Sequence, residues 1–200
     1  MAPAKKIGAT STLLPQEWFA RDALIIAREL LGKIIEYKNC SGMIVETEAY
    51  VDDEASHAFV ITPRSKIMLE TYGAIYVYFT YGNHYCLNIT TNQGAKGAVL
   101  IRALEPLSGI DLMQRRRNTE IFTNLTSGPG KLCQALGITT TLNNTPINEK
   151  IKISEYKNFA DSEVAISPRI GIKKAVDLPW RFFVRENPFV SKNFQKSKTS

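Results

Sequence analysis

The stretch Ile44-Val45-Glu46-Thr47-Glu48-Ala49-Tyr50 concentrates more reactive chemistry than any other in the chain. As an extended strand, its period of two puts Glu46, Glu48 and Tyr50 on one face and Val45, Thr47 and Ala49 on the other. The small and apolar face belongs in a core, and the plain expectation for the other is that its two glutamates point at water. Paired carboxylates also cleave glycosidic bonds. That chemistry places acids on either side of the scissile bond, however, whereas i,i+2 neighbours on a strand share one side.

Tyr72, Tyr76, Tyr78, Phe79, Tyr81 and Tyr85 form a second concentration, of aromatic rings. Tyr76 and Tyr78 share a strand face, and for an isolated aromatic strand the core is the first use of such rings. Tyr81 differs because the chain turns at Gly82-Asn83; a large ring at a hairpin tip is hard to bury and well placed to act as a wedge. Ser127-Gly128-Pro129-Gly130-Lys131 precedes a helical stretch, so its N–H groups could face a phosphate with Lys131 adding charge. It lacks the spacing and the following Ser or Thr of a Walker loop, and an ordinary helix start reads equally well. Arg115-Arg116-Arg117 reads most simply as a solvated helix end. His57 and His84, the only histidines, have no second ligand at metal-binding spacing, so no structural or catalytic zinc is expected.

The elements that must position these groups follow from punctuation and periodicity. Asp22 to Leu31 carries apolar residues at helical spacing and stops at Gly32. Strand character marks Ile34 to Tyr37, Met43 to Tyr50, Ile75 to Tyr81, Tyr85 to Thr91 and Ala98 to Leu104. The three-residue link Gly82-Asn83-His84 dictates an antiparallel hairpin, and the loop from Asn92 to Gly97 suggests a second. Helices are expected at Gly109 to Arg117 and Gly130 to Leu136, and later strands at Ile151 to Tyr156, Arg169 to Ile172 and Trp180 to Val184. Thr139 to Asn148 reads as a surface loop. Helices interspersed with hairpin-linked strands, without a strand-helix-strand rhythm, indicate an α+β fold around an antiparallel sheet.

A length of 200 residues favours one domain, here residues 13–191 between flexible segments at 1–12 and 192–200. The 44% hydrophobic content excludes disorder. Three dispersed cysteines, Cys40, Cys86 and Cys133, fit reduced thiols in a cytoplasm. The apolar run from Ala23 to Ala27 is cut by charges on both sides, so no signal peptide or membrane span is expected. Lys and Arg total 25 against 19 Asp and Glu, a net charge of +6, which attracts a polyanion without specifying one.

Taken in order, several segments resemble the alkyladenine (3-methyladenine, or methylpurine) DNA glycosylase family. The matching blocks are Ile44 to Tyr50, Glu54-Ala55-Ser56-His57, Thr62-Pro63-Arg64, Tyr76-Val77-Tyr78 through Tyr81-Gly82, and Tyr85-Cys86-Leu87-Asn88. They continue with Val99 to Leu107, Ser127 to Leu136, and Arg181-Phe182-Phe183-Val184-Arg185, so the resemblance spans roughly residues 13 to 191. It implies one compact domain with a curved antiparallel sheet and surrounding helices, a β-hairpin inserted into the DNA minor groove, and no metal or organic cofactor. The implied partner is double-stranded DNA containing damaged purines, met by a monomer away from any membrane. Position by position, Glu48 matches the glutamate that activates the attacking water. Tyr50, His57 and Tyr78 match the side chains that enclose the flipped base, and Asn88 the one thought to clash with the 2-amino group of guanine. Tyr81 matches the ring that fills the gap in the duplex, and Arg102 the arginine that helps hold the water and the target phosphate. The link from Tyr50 to His57 is shorter than the usual pattern and lacks its Gly-Pro, and Asn83 stands where methionine is frequent.

Two other classes account for part of the same residues. A non-catalytic nucleic-acid-binding module explains the charge and the aromatics but not a carboxylate beside Tyr50, since a carboxylate opposes a polyanion. A sugar-polymer hydrolase explains carboxylates and aromatics but not the basic excess or a hairpin-tip tyrosine.

Overall fold

The computed structural model describes residues 12–57, 59–80 and 82–191. Residues 1–11 and 192–200, which the sequence marks as flexible, lie outside the described residues, as do Ala58 and Tyr81.

A 3-10 turn at Gln16–Ala20 precedes the short helix α1 (Ala23–Glu29), opened by the Asp22 carboxylate, which accepts from the Leu24 and Ile25 N–H groups. Such a cap is worth about 1 kcal/mol. Strands β1 (Ile34–Tyr37) and β2 (Cys40–Tyr50) form a tight hairpin, with Tyr37 opposite Cys40. The four-residue helix α2 (Ile67–Glu70) leads into β3 (Ile75–Thr80), β4 (His84–Thr90) and β5 (Ala98–Ser108), a meander made by the two expected hairpins. Helices α3 (Ile110–Arg117) and α4 (Pro129–Leu136) follow, then β6 (Ile151–Ser154), β7 (Val164–Ser167) and β8 (Arg181–Val184).

All eight strands join one curved antiparallel sheet in the order β3-β4-β5-β2-β1-β6, with β8 also on β2 and β7 on β8. β2 is its centre. One edge of β2 pairs along its length with β5, and the other is divided between β1 at its start and β8 at Glu46–Glu48. The pairing of β2 with β5 is irregular on both sides of Glu46, where Val45 and Arg102 are the unmatched residues. Such bulges re-aim side chains and increase local twist, and here they bring Arg102 over Glu46 and Glu48.

The main core lies between this sheet and α1, α3 and α4, with Phe19, Ile26, Leu30, Ile44, Ile101, Leu104, Leu132 and Leu136 among its fully buried side chains. Arg116 and Arg117, expected as a solvated helix end, instead reach across to α4: Arg116 donates to the Ala135 carbonyl and Arg117 to Gln134. Gly130, in the first turn of α4, sits against β4, where an added Cβ would come within 2.9 Å of the His84 ring. Only glycine lets α4 pack this close to the base of the β3–β4 hairpin.

One expectation for the later strands fails, and one strand was not expected. Arg169 to Ile172 is irregular, while Val164–Ser167, which carried no expectation, is a strand paired with β8. The reason lies in where residues 169–170 spend their polar groups, described below. Among the described residues no helix is long and apolar enough to cross a membrane.

Candidate active site

On the face of β2 that carries Glu46, Glu48 and Tyr50, the two glutamates do not meet water, while Tyr50 is half-buried. Alternation is as expected, with the Thr47 hydroxyl turned the other way to donate to the Ala27 carbonyl of α1. The far face is covered by the C-terminal third of the chain, and Glu46 and Glu48 are both 0% exposed. The expectation of solvated glutamates is therefore corrected: a central strand of a sheet covered on both faces leaves no wet side.

Buried carboxylates must be paired, and each is. Glu46 Oε1 accepts from Arg102 Nε at 3.0 Å, Arg181 Nε at 2.7 Å and Ser191 Oγ at 2.7 Å, and its Oε2 accepts from the Ser191 N–H at 2.7 Å. Glu48 Oε1 accepts from the Ile170 N–H at 2.7 Å. Its Oε2 accepts from the Tyr50 hydroxyl at 2.9 Å and lies 3.1 Å from Arg102 Nη1. Burial alone would lower the Arg102 pKa, but Glu48 and Glu46 outweigh it and hold the guanidinium above the usual arginine value. Arg102 is thus a fixed cation bridging two anions.

Beside this cluster opens a cavity of about 530 Å³ lined by Tyr50, His57, Tyr76, Tyr78, Asn88 and Arg102, among others. A cavity of this size suits one flat heterocycle and the sugar that carries it. The Tyr76 and Tyr78 ring centroids are 5.6 Å apart, and the His57 ring stands edge-on to Tyr78 at 4.5 Å. His57 Nδ1 is 3.0 Å from the Tyr76 hydroxyl, so the short link after Tyr50 does bring His57 into the cavity wall. The Asn88 amide nitrogen donates to the Tyr76 and Cys86 carbonyls, which fixes the direction of its side chain.

Burial raises the Tyr50 pKa far above its usual value, and the Glu48 charge adds to this. Burial likewise raises Tyr78, with Cys86 next in effect. Both phenols therefore stay neutral donors. Burial lowers the His57 pKa, and the Arg64 charge lowers it further, which favours neutral imidazole. Arg64 lies over the Tyr78 ring at 5.0 Å and donates to the Phe79 carbonyl, tying the 59–66 loop to β3.

Of the remaining residues singled out in the sequence, Lys131 is half-buried in α4, beside the cavity-lining Pro129, and its ammonium donates to Asn124 and Ser127. Tyr81 lies outside the described residues. The turn beside it is exposed, and a Cβ at Gly82 would meet nothing within 4 Å. Several residues of the cluster had no role assigned from the sequence, although Arg181 lies in one of the family-like blocks. Arg181 and Ser191 meet Glu46 from 135 and 145 positions away, and Arg169 meets Asp53 from 116. Among the described residues no group of three His, Cys, Asp or Glu could hold a metal ion.

A buried carboxylate and arginine lie beside a half-open aromatic cavity at the centre of a curved antiparallel sheet, a lining with the flat rings that stack on a planar ligand. Residues 17–188 match the family model of methylpurine-DNA glycosylase. A Prosthecochloris aestuarii protein with the provisional name 3-methyladenine DNA glycosylase is 46% identical over 187 residues, covering 88% of this chain and 90% of that one. A protein of the same provisional name from Agrobacterium fabrum is 47% identical over 184 residues, covering 91% and 94%. The chain belongs to the methylpurine-DNA glycosylase family.

Proposed function

We propose that this protein rotates an alkylated or deaminated purine, such as 3-methyladenine or hypoxanthine, out of duplex DNA and hydrolyses its N-glycosidic bond, leaving an abasic site. The observation that carries this reading is the junction of Glu48 with the aromatic cavity: Tyr50 lines the cavity with its ring and donates its hydroxyl to Glu48. A base stacked in a duplex hides its glycosidic bond, and extruding it costs a few kcal/mol. Stacking on Tyr50, Tyr78 and His57 returns about 1–3 kcal/mol per base, with an additional cation–π contribution when N-alkylation has made the purine positive.

The same positive charge weakens the glycosidic bond. The C1′–N bond breaks, its electron pair neutralises the departing purine, and the sugar acquires oxocarbenium character. A water adds to C1′ and surrenders its proton to Glu48. A carboxylate offers about four lone-pair positions, and with two hydrogen bonds and one ion pair Glu48 keeps room for that water. Arg102, held cationic, orients the carboxylate and lines the cavity, where its charge suits the target phosphate. A neutral lesion differs in one respect: the leaving purine must take up a proton.

Tyr81 fills the gap in the duplex, a role supported by its place beside an exposed hairpin turn. Tyr81→Ala is expected to abolish the fluorescence rise of a flipped reporter base while leaving most non-specific affinity. Unchanged flipping contradicts the wedge. The whole reading is tested by incubating the protein with a methylated duplex, without added metal, and assaying free base. Release of 3-methyladenine by the parent, lost in Glu48→Gln with lesion binding retained, is the expected result; retained release in Glu48→Gln overturns it.

A further inference from the structure

Residues 168–180 form no regular element, yet they supply the Ile170 N–H on Glu48 and Ile170, Gly171 and Ile172 in the cavity wall. An irregular surface loop is normally among the more mobile parts of a protein, so something must fix this one. Arg169 has the means. Its side chain is 0% exposed and forks onto Asp53, with Nη2–Oδ1 at 2.7 Å and Nη1–Oδ2 at 3.1 Å. Nη1 also donates to the Ala49 carbonyl of β2 at 3.1 Å. The guanidinium carbon lies 4.6 Å from the Tyr50 ring centroid and 4.9 Å from that of Trp180. One side chain therefore joins the β2 end, the segment after it, the loop itself and the approach to β8.

Stability does not account for this choice. A buried ion pair can often be replaced by well-packed apolar groups without loss, and here Nε remains buried without a hydrogen-bond partner, a cost most native side chains avoid. What the guanidinium adds over an apolar side chain is direction. The fork on Asp53 and the Ala49 carbonyl fix its plane, Tyr50 rests on it, and the next N–H along the chain meets Glu48. We propose that Arg169, held by Asp53, is a positioning residue: it sets the Tyr50 ring and the Ile170 N–H, and through these two groups the orientation of the Glu48 carboxylate. This rests on the role given to Glu48 above. It also explains why 169–172 is not a strand, because Arg169 is committed to Asp53 and the Ala49 carbonyl, and the Ile170 N–H to the Glu48 side chain, rather than to a ladder.

The test compares Arg169→Gln, Arg169→Lys and Asp53→Asn with the parent by two readouts. Amide hydrogen exchange over 168–172 reports the clamp whether or not the protein is active, and single-turnover release from a 3-methyladenine duplex reports its consequence. In Arg169→Gln and Asp53→Asn the Ile170 amide is expected to lose protection while β2 and β5 keep theirs. Base release falls about a hundredfold, the scale of a 1 Å misplacement, with duplex affinity within about threefold. Arg169→Lys, which keeps the charge without the fork, recovers only part of the rate. Unchanged protection and rate in the two neutral variants overturns the proposal. So does loss of protection throughout β2 and β5 in both, which makes the pair a support of the whole fold. A parent that releases no base contradicts the glycosylase reading alone, since the exchange measurement still decides whether the clamp exists.

Discussion

Glu46 and Glu48 stand two residues apart on one face of one strand, equally buried and sharing one arginine, yet they are held in opposite ways. Glu46 is the more heavily bonded: four hydrogen bonds from Arg102, Arg181 and Ser191 meet its two oxygens, from the neighbouring strands β5 and β8 and from the segment after β8. Glu48 is bonded by the Tyr50 hydroxyl and the Ile170 N–H, both from residues that line the cavity. The Glu46 bonds tie β8 and Ser191 to β2, whereas the Glu48 donors Tyr50, Ile170 and Arg102 line the cavity, and this is why the proton of the attacking water is proposed to go to Glu48. The difference separates a carboxylate that holds the C-terminal segment to the sheet from one that can do chemistry, and identity and burial alone do not reveal it.

The largest effect that tests this contrast is on stability. Glu46→Gln leaves Arg181 and part of Arg102 without a counter-charge in the interior, and is expected to cost about 3–5 kcal/mol in denaturant unfolding. Its rate of base release per folded molecule stays within about tenfold of the parent. A smaller cost, of under about 1 kcal/mol, would show that the Glu46 network is not the structural one.

A lesser effect is expected at the cavity wall. Asn88→Ala frees space where the side chain is now pinned by the Tyr76 and Cys86 carbonyls. It is expected to raise slow release of normal guanine relative to adenine by roughly tenfold, about the discrimination a small steric change supplies. No change in that ratio contradicts the steric role.

The smallest effect concerns pH. Burial and Arg64 lower the His57 pKa from its usual value of 6.5. Because the folded value lies below the unfolded one, the neutral ring's contribution to stability is fully present above about pH 6.5 and is lost as pH falls through the folded value. Protonation also places a cation in the cavity proposed to receive cationic purines, so their binding is expected to weaken over the same range. Arg64→Gln is expected to move the His57 titration upward, read from the ring proton shifts; an unmoved titration removes Arg64 from the account.

What sequence could reveal divides along similar lines. The β3–β4 hairpin was legible because a three-residue link leaves no other geometry, and the shared face of Glu46, Glu48 and Tyr50 because strand periodicity is local. The burial of that face was not, since it depends on long-range partners: β8 pairs with β2 at Glu46–Glu48, and Arg181 and Ser191 meet Glu46 from more than 130 residues away. Arg169 to Ile172 has the alternation of a strand, and only its long-range partners Asp53 and Glu48 explain why it is not one. The bulge that aims Arg102 at both carboxylates likewise follows from pairing, not from composition.

The most direct test of the division between the two carboxylates is single-turnover base release from a 3-methyladenine duplex, measured side by side for Glu48→Gln and Glu46→Gln and normalised to folded, DNA-bound protein. The account predicts that Glu48→Gln loses release by at least about 10²–10⁴-fold, the usual weight of a general base, while Glu46→Gln keeps most of it. Equal loss in both variants, with binding unchanged, would contradict it.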